Sequence, residues 1–111
     1  LEGVIEMKNS NRKYSIMTKD MSHCFICGSP YVEKHEIYYG AFRTKSIEYG
    51  CIVPLCPYCH KGGYKYGTYI KGVHDNSGKG IDLDLKKECQ KKFEDIHGHE
   101  KFMEVFKKNY I

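Results

Sequence analysis

The chain has 111 residues, 41% of them hydrophobic, enough for one domain with a modest core. No apolar run approaches the roughly 20 residues a membrane helix requires, and no charged-then-apolar leader opens the sequence, so a reducing, cytoplasmic setting is expected. The formal net charge of +4 is mild, and four thiolates on one Zn²⁺ would bring it to about +2, so charge alone does not prove a nucleic-acid partner.

In chain order, Val4–Met7 and Lys13–Met17 flank the cluster Asn9-Ser10-Asn11, which predicts an N-terminal arm or short hairpin over 1–20 ahead of a single domain over 21–111. Tyr31 to Tyr39 is rich in β-formers and stops at Gly40, so it reads as a strand, with Ile47 to Leu55 as its returning partner. Pro57 and the glycines at 62, 63, 67 and 72, interleaved with Tyr64, Tyr66 and Tyr69, make a loop-rich stretch. Those tyrosines can stack on bases or line the domain, and the sequence does not choose.

After Gly80 the period becomes helical. Leu85, Cys89, Phe93 and Ile96 recur on one face with Lys87 and Lys91 opposite, Asp82 or Asp84 is the expected N-cap, and Gly98 the stop. A second helix is expected over about Glu100 to Asn109, stacking Phe102, Phe106 and Tyr110. The basic excess sits in this half: residues 61–111 carry 11 Lys against 8 acids, residues 1–60 carry 7 basic against 6 acidic.

Six cysteines are many for this length, and four fall into two CxxC pairs, Cys24/Cys27 and Cys56/Cys59. The connecting stretch is long enough for a hairpin that brings the pairs together. Four thiolates then close a tetrahedral shell of the structural-zinc type, with no open position for a substrate. Cys89 is expected to be a small buried hydrophobe, and Cys51 has no assigned role.

Three histidines stand beside the knuckles: His35 in the first strand, His60 directly after Cys59, and His74 before the long helix. His23, His97 and His99 read as ordinary surface or helix-end residues. With the strings Glu33-Lys34-His35-Glu36-Ile37, Arg43-Thr44-Lys45, Leu55-Cys56-Pro57-Tyr58-Cys59-His60, Gly72-Val73-His74 and Asn109-Tyr110, the chain resembles the HNH endonucleases over about residues 24–111. The resemblance is to the small phage and prophage nucleases associated with recombination.

That resemblance implies an α+β fold with a ββα-metal core, a zinc-knuckle pair of four cysteines and C-terminal helices. It implies hydrolysis of DNA phosphodiesters at a single-metal histidine site. The cofactors would be structural Zn²⁺ and a catalytic Mg²⁺ or Mn²⁺ held by His60 and His74. A strand-borne base would activate the attacking water, and the partners would be DNA and phage recombination or packaging proteins, in a bacterial host or phage setting. Two registers are open at the base. Aligned on Ile37, His35 is the ligand and Glu36 the base; in the other register His35 is the base, and Glu33 or Glu36 takes the place of Lys34 as ligand. The middle Asn of the HNH signature has no counterpart between Ile37 and Cys56.

Arg43, Lys45 and Lys61 are the expected phosphate contacts. Lys86, Lys87, Lys91 and Lys92 either extend that track or form a solvated helix face. The competing function is a non-catalytic zinc-ribbon module that binds nucleic acid, which leaves His35, His60 and His74 without work.

Overall fold

The computed structural model describes residues 14–111, so the expected hairpin over the first residues lies outside the described residues up to position 13. Strand β1 (Glu33–Glu36) pairs antiparallel with β2 (Ile52–Leu55), with His35 opposite Val53. Between them run a 3-10 turn (Gly40–Phe42) and a short helix, α1 (Arg43–Glu48).

Both strands are shorter at their inner ends than their composition predicts, and Ser46 is the reason. Its buried hydroxyl accepts from the backbone N–H of Tyr38 at 3.0 Å and donates to the Tyr38 carbonyl at 2.7 Å. A side chain from α1 thus satisfies backbone groups that a longer ladder would have paired. Ile37 N–H, donating to the Cys51 carbonyl at 2.9 Å, is the last cross-link before this handover, and Ile47 and Glu48, expected in the returning strand, belong to α1.

The stretch that reads as loop is regular. Cys56 caps the short helix α2 (Pro57–Lys61), with Pro57 at the first helical position, where its missing N–H costs nothing. Strands β3 (Gly63–Lys65) and β4 (Thr68–Ile70) then form a hairpin around Tyr66-Gly67. A second 3-10 turn, Val73–Asn76, leads to the long helix α3 (Gly80–His97), followed by α4 (His99–Phe106).

The helical period of α3 delivers Leu85, Cys89 and Phe93 to the core, while Ile96, one step further, stays exposed. Gly98 ends the helix with a positive φ of 91°, as its missing Cβ permits. Neither Asp82 nor Asp84 caps it: Lys79 stands at the N-cap without a side-chain bond, and Asp82 turns inward. Lys86 is buried with it, so this lysine belongs neither to a phosphate track nor to a solvated face.

Helix α4 stops earlier than its apolar spacing predicts. Buried Gln90 accepts the Tyr110 N–H at 2.7 Å and donates to Asn109 Oδ1 at 2.7 Å, which draws the last residues back onto α3. Phe93, Phe102 and Phe106 are fully buried and pack on one another, and Tyr38 joins them with its ring centroid 4.4 Å from that of Phe106. Each such ring contributes roughly 1.5–3 kcal/mol by leaving water, so this aromatic cluster fixes α3 and α4 to the segment that follows β1, where the Tyr38 hydroxyl also donates to the Lys86 carbonyl at 2.6 Å. Among the described residues no helix is long and apolar enough to cross a membrane.

Candidate metal centres

Both cysteine knuckles hang on β2. Cys56 follows its last residue, and Phe25 N–H in the first knuckle donates to the Pro54 carbonyl at 2.8 Å. Each CxxC turn closes on its own sulfur, with Cys27 N–H to Cys24 Sγ and Cys59 N–H to Cys56 Sγ, both at 3.4 Å.

The four Sγ atoms of Cys24, Cys27, Cys56 and Cys59 lie within 4.8 Å of one another, and none is in a disulfide. Cys27 and Cys56 approach to 3.6 Å, close to the ~3.8 Å edge of a tetrahedron built on ~2.3 Å zinc–sulfur bonds. Burial pushes the Cys24 thiol up, but backbone N–H groups of Cys27, Cys56 and Ile26 outweigh it and bring the pKa down to about 6. The group fits a metal such as zinc in a closed shell.

The second centre joins three elements. His35 comes from the inner face of β1, His60 from the last turn of α2, and His74 from the second 3-10 turn. Their ring nitrogens also lie within 4.8 Å of one another. Nε2 of His60 and Nε2 of His74 are 3.1 Å apart, within hydrogen-bond reach of each other and near enough to share one ion.

Glu33, two residues before His35 and so on the same face of the strand, reaches His60 Nδ1 with Oε1 at 2.7 Å. The carboxylate fixes the His60 tautomer with its proton on Nδ1 and its lone pair on Nε2, as metal-binding imidazoles require. The same bond, foremost among its causes, holds the Glu33 carboxyl below the usual range.

His35 is 1% exposed, and its Nε2 has no hydrogen-bond partner among the described residues. Burial, then the neighbouring His60 and His74, bring its pKa down to about 3. His74 is also lowered, first by burial and then by His60. A neutral imidazole with a buried, unsatisfied nitrogen is costly in a folded chain, and the cluster is chemically suited to a cation that would satisfy it.

Glu36 stands on the other face of β1, its Oε2 3.9 Å from Lys34 Nζ and 3.7 Å from Arg43 Nε. It is not in the histidine cluster. Arg43 opens α1, Lys45 pairs with Glu48 at 3.4 Å, and exposed Lys61 follows His60 directly at the end of α2. The remaining histidines have local partners: His23 with Asp20 at 3.0 Å, His99 with Glu94 at 2.6 Å, and His97 against Phe93. Cys51 and Cys89 are both fully buried, and hydrogen bonding to Cys89 followed by burial pushes the Cys51 thiol well up.

Sequence reading misses the wall behind the histidines. Tyr39 packs its ring 4.9 Å from that of His74, and its hydroxyl reaches Asp82 Oδ2 at 3.1 Å. Asp82 Oδ2 also takes the Lys86 ammonium at 2.8 Å and the Gly78 N–H at 2.7 Å, while Oδ1 is buried without a partner among the described residues. Burial works against the charge of Lys86, but Asp82 and Tyr39 outweigh it and raise its pKa. The four-residue spacing of Asp82 and Lys86 is the available signal; the lysine run around it hides the pair. No protein-family model matches the chain, and no curated protein or solved structure matches it.

Proposed function

We propose that the protein is a metal-dependent DNA endonuclease with the ββα-metal arrangement, in which β1, β2 and the helical segment after β2 carry the site. The observation that supports it best is the convergence of His35, His60 and His74, from three separate elements, on one point beside a closed cysteine centre. A zinc-ribbon binding module has no use for that convergence, nor for the Glu33–His60 bond behind it.

In this reading His60 and His74 hold a divalent ion, Mg²⁺ or Mn²⁺, through their facing Nε2 atoms. Bound there, the ion supplies Lewis-acid stabilisation of charge on the scissile phosphate and on the departing 3′ oxygen. Glu33 keeps the His60 ring in register. As the base, His35 would accept a proton on Nε2 from the water whose oxygen bonds to phosphorus as the phosphorus–3′ oxygen bond breaks, the negative phosphate beside it offsetting the burial that disfavours its charged form. Arg43, Lys45 and Lys61 offer their charges to neighbouring phosphates. Phage recombination or packaging proteins remain partners by resemblance alone.

A second arrangement follows from the same 4.8 Å grouping, with His35 as a third ligand. Manganese titration separates the two. His35→Ala retains Mn²⁺ affinity if His35 is the base and loses it if His35 is a ligand. The nuclease reading itself is tested by plasmid nicking with Mg²⁺ or Mn²⁺. The zinc-loaded parent cuts, and His35→Ala and His60→Ala fold, keep zinc and do not. A parent that never cuts, with both variants binding DNA as it does, leaves the zinc-ribbon module as the function.

A further inference from the structure

The hairpin β3–β4 leaves the body between the two facing histidines: Gly62 follows His60 by two residues, and Gly72 precedes His74 by two. Its base is locked to both. A Cβ on Gly72 would collide with the Gly62 nitrogen and the His60 carbonyl, and one on Gly62 with Asp75 and Tyr69 side chains. Asp75 Oδ2, in the same turn as His74, accepts from the Gly72 N–H at 2.9 Å and from the Tyr69 hydroxyl at 2.8 Å.

Beyond that base Lys65, its Nζ 5.4 Å from the centre of the Tyr58 ring, leans back on α2, and the tyrosines face solvent. Tyr64 is 73% exposed, and its ring meets Tyr69 edge-on across the strands at 5.2 Å. Tyr66, at the tip, is 95% exposed with a φ of +51°, followed by Gly67 at +80°. Positive φ at both central residues is the condition of a type I′ turn, where Asn or Gly is the usual first residue. A tyrosine there is strained, and its ring gains nothing from packing within the chain. From Lys61 to Gly72 the segment holds three lysines and no acid.

We propose that this hairpin is a stacking finger whose tip grips unpaired bases of DNA next to the histidine centre. The proposal rests on the nuclease reading for its choice of DNA. Aromatic platforms flanked by lysines suit any base, because every base has a π face and every nucleotide a phosphate. Intact duplex presents those faces only to each other. Tyr66 offers the ring, the Tyr64–Tyr69 pair stiffens the stalk, and Lys61, Lys65 and Lys71 neutralise phosphates. The fixed base of the finger sets the distance from the gripped base to the bond that is cut.

The chain has no tryptophan, so Tyr66→Trp reports from the tip alone. With Ca²⁺ in place of a supporting metal, titration with an oligo-dT strand is expected to quench its emission, and a blunt duplex to leave it nearly unchanged. Tyr66→Ala, folded as judged by circular dichroism, should weaken oligo-dT binding about tenfold and duplex binding by less than about twofold. Emission that stays constant while DNA binds, equal losses on both DNAs, or emission that responds to protein concentration, as in self-association, overturns the finger. Plasmid nicking by the parent is scored separately. Quenching without cleavage keeps the finger and removes the nuclease, while cleavage without quenching does the reverse.

Discussion

His60 and His74 face each other through Nε2 at 3.1 Å although a complete hairpin of chain lies between them. On its far side His60 is held by Glu33 at 2.7 Å. Removing that carboxylate frees the ring and its tautomer without removing a ligand. Glu33→Ala should therefore lower Mn²⁺ affinity about 10- to 100-fold, read by calorimetric titration, with the zinc content unchanged. Equal affinity in parent and variant would mean that the pair is only a surface contact.

The cysteine centre makes a separate prediction. The purified protein should carry a single zinc per chain by elemental analysis, and Cys27→Ser should lose it while His60→Ala keeps it. Both knuckles are tied to β2, so stripping the metal with a strong chelator should unfold the β1–β2 region, visible as lost amide-exchange protection around Val53. A chain that keeps its protection without metal would contradict a structural role for the centre.

The buried His35 has a pH signature. Its folded pKa, about 3, lies below the ordinary histidine value of 6.5. The unfolded chain therefore binds a proton that the folded chain refuses between those values. Stability is full above about pH 6.5 and falls by roughly 1.4 kcal/mol per pH unit below it. Without added divalent metal, the parent should lose about 2 kcal/mol more than His35→Gln between pH 7 and pH 5 in urea titrations, zinc being common to both. Parallel losses would show that His35 accepts a proton in the folded state.

Asp82 and Lys86 form a buried pair at 2.8 Å, one turn apart on α3. Asp82→Ala leaves the ammonium buried without its partner and should cost about 3–5 kcal/mol in urea unfolding, whereas replacing both with Ala and Met recovers most of it. Lys86 Nζ lies 4.1 Å from the centre of the Tyr39 ring, and Tyr39 lines the histidines. The single variant should therefore also perturb the His74 imidazole resonances. A loss below about 1 kcal/mol would place the pair in water.

Several assignments needed no coordinates. The two CxxC pairs are legible because each knuckle is a local turn whose spacing carries its chemistry. The face Leu85, Cys89 and Phe93 is legible because the helical period is a property of neighbouring residues. Strand alternation already puts Glu33 with His35 and sets Glu36 apart, and the structure has Glu36 with Lys34 and Arg43. The strand ends are not legible, since they depend on the Ser46 hydroxyl reaching from α1 to Tyr38. Asp82 reads as a cap for a similar reason: the lysine that draws it inward is ordinary surface composition until the core closes around it.

By itself the sequence determined the α+β character, the cysteine centre and three histidines of the right chemical type, all short-range or compositional properties. Only the tertiary structure decided that His35, His60 and His74 meet. Convergence of a strand, a helix end and a turn is set by the packing of the second 3-10 turn against α2 and α3 and by the close approach of Gly62 and Gly72, and no local period encodes either. The same glycine contact closes the base of a hairpin that reads as a loop, with Tyr66 at its tip.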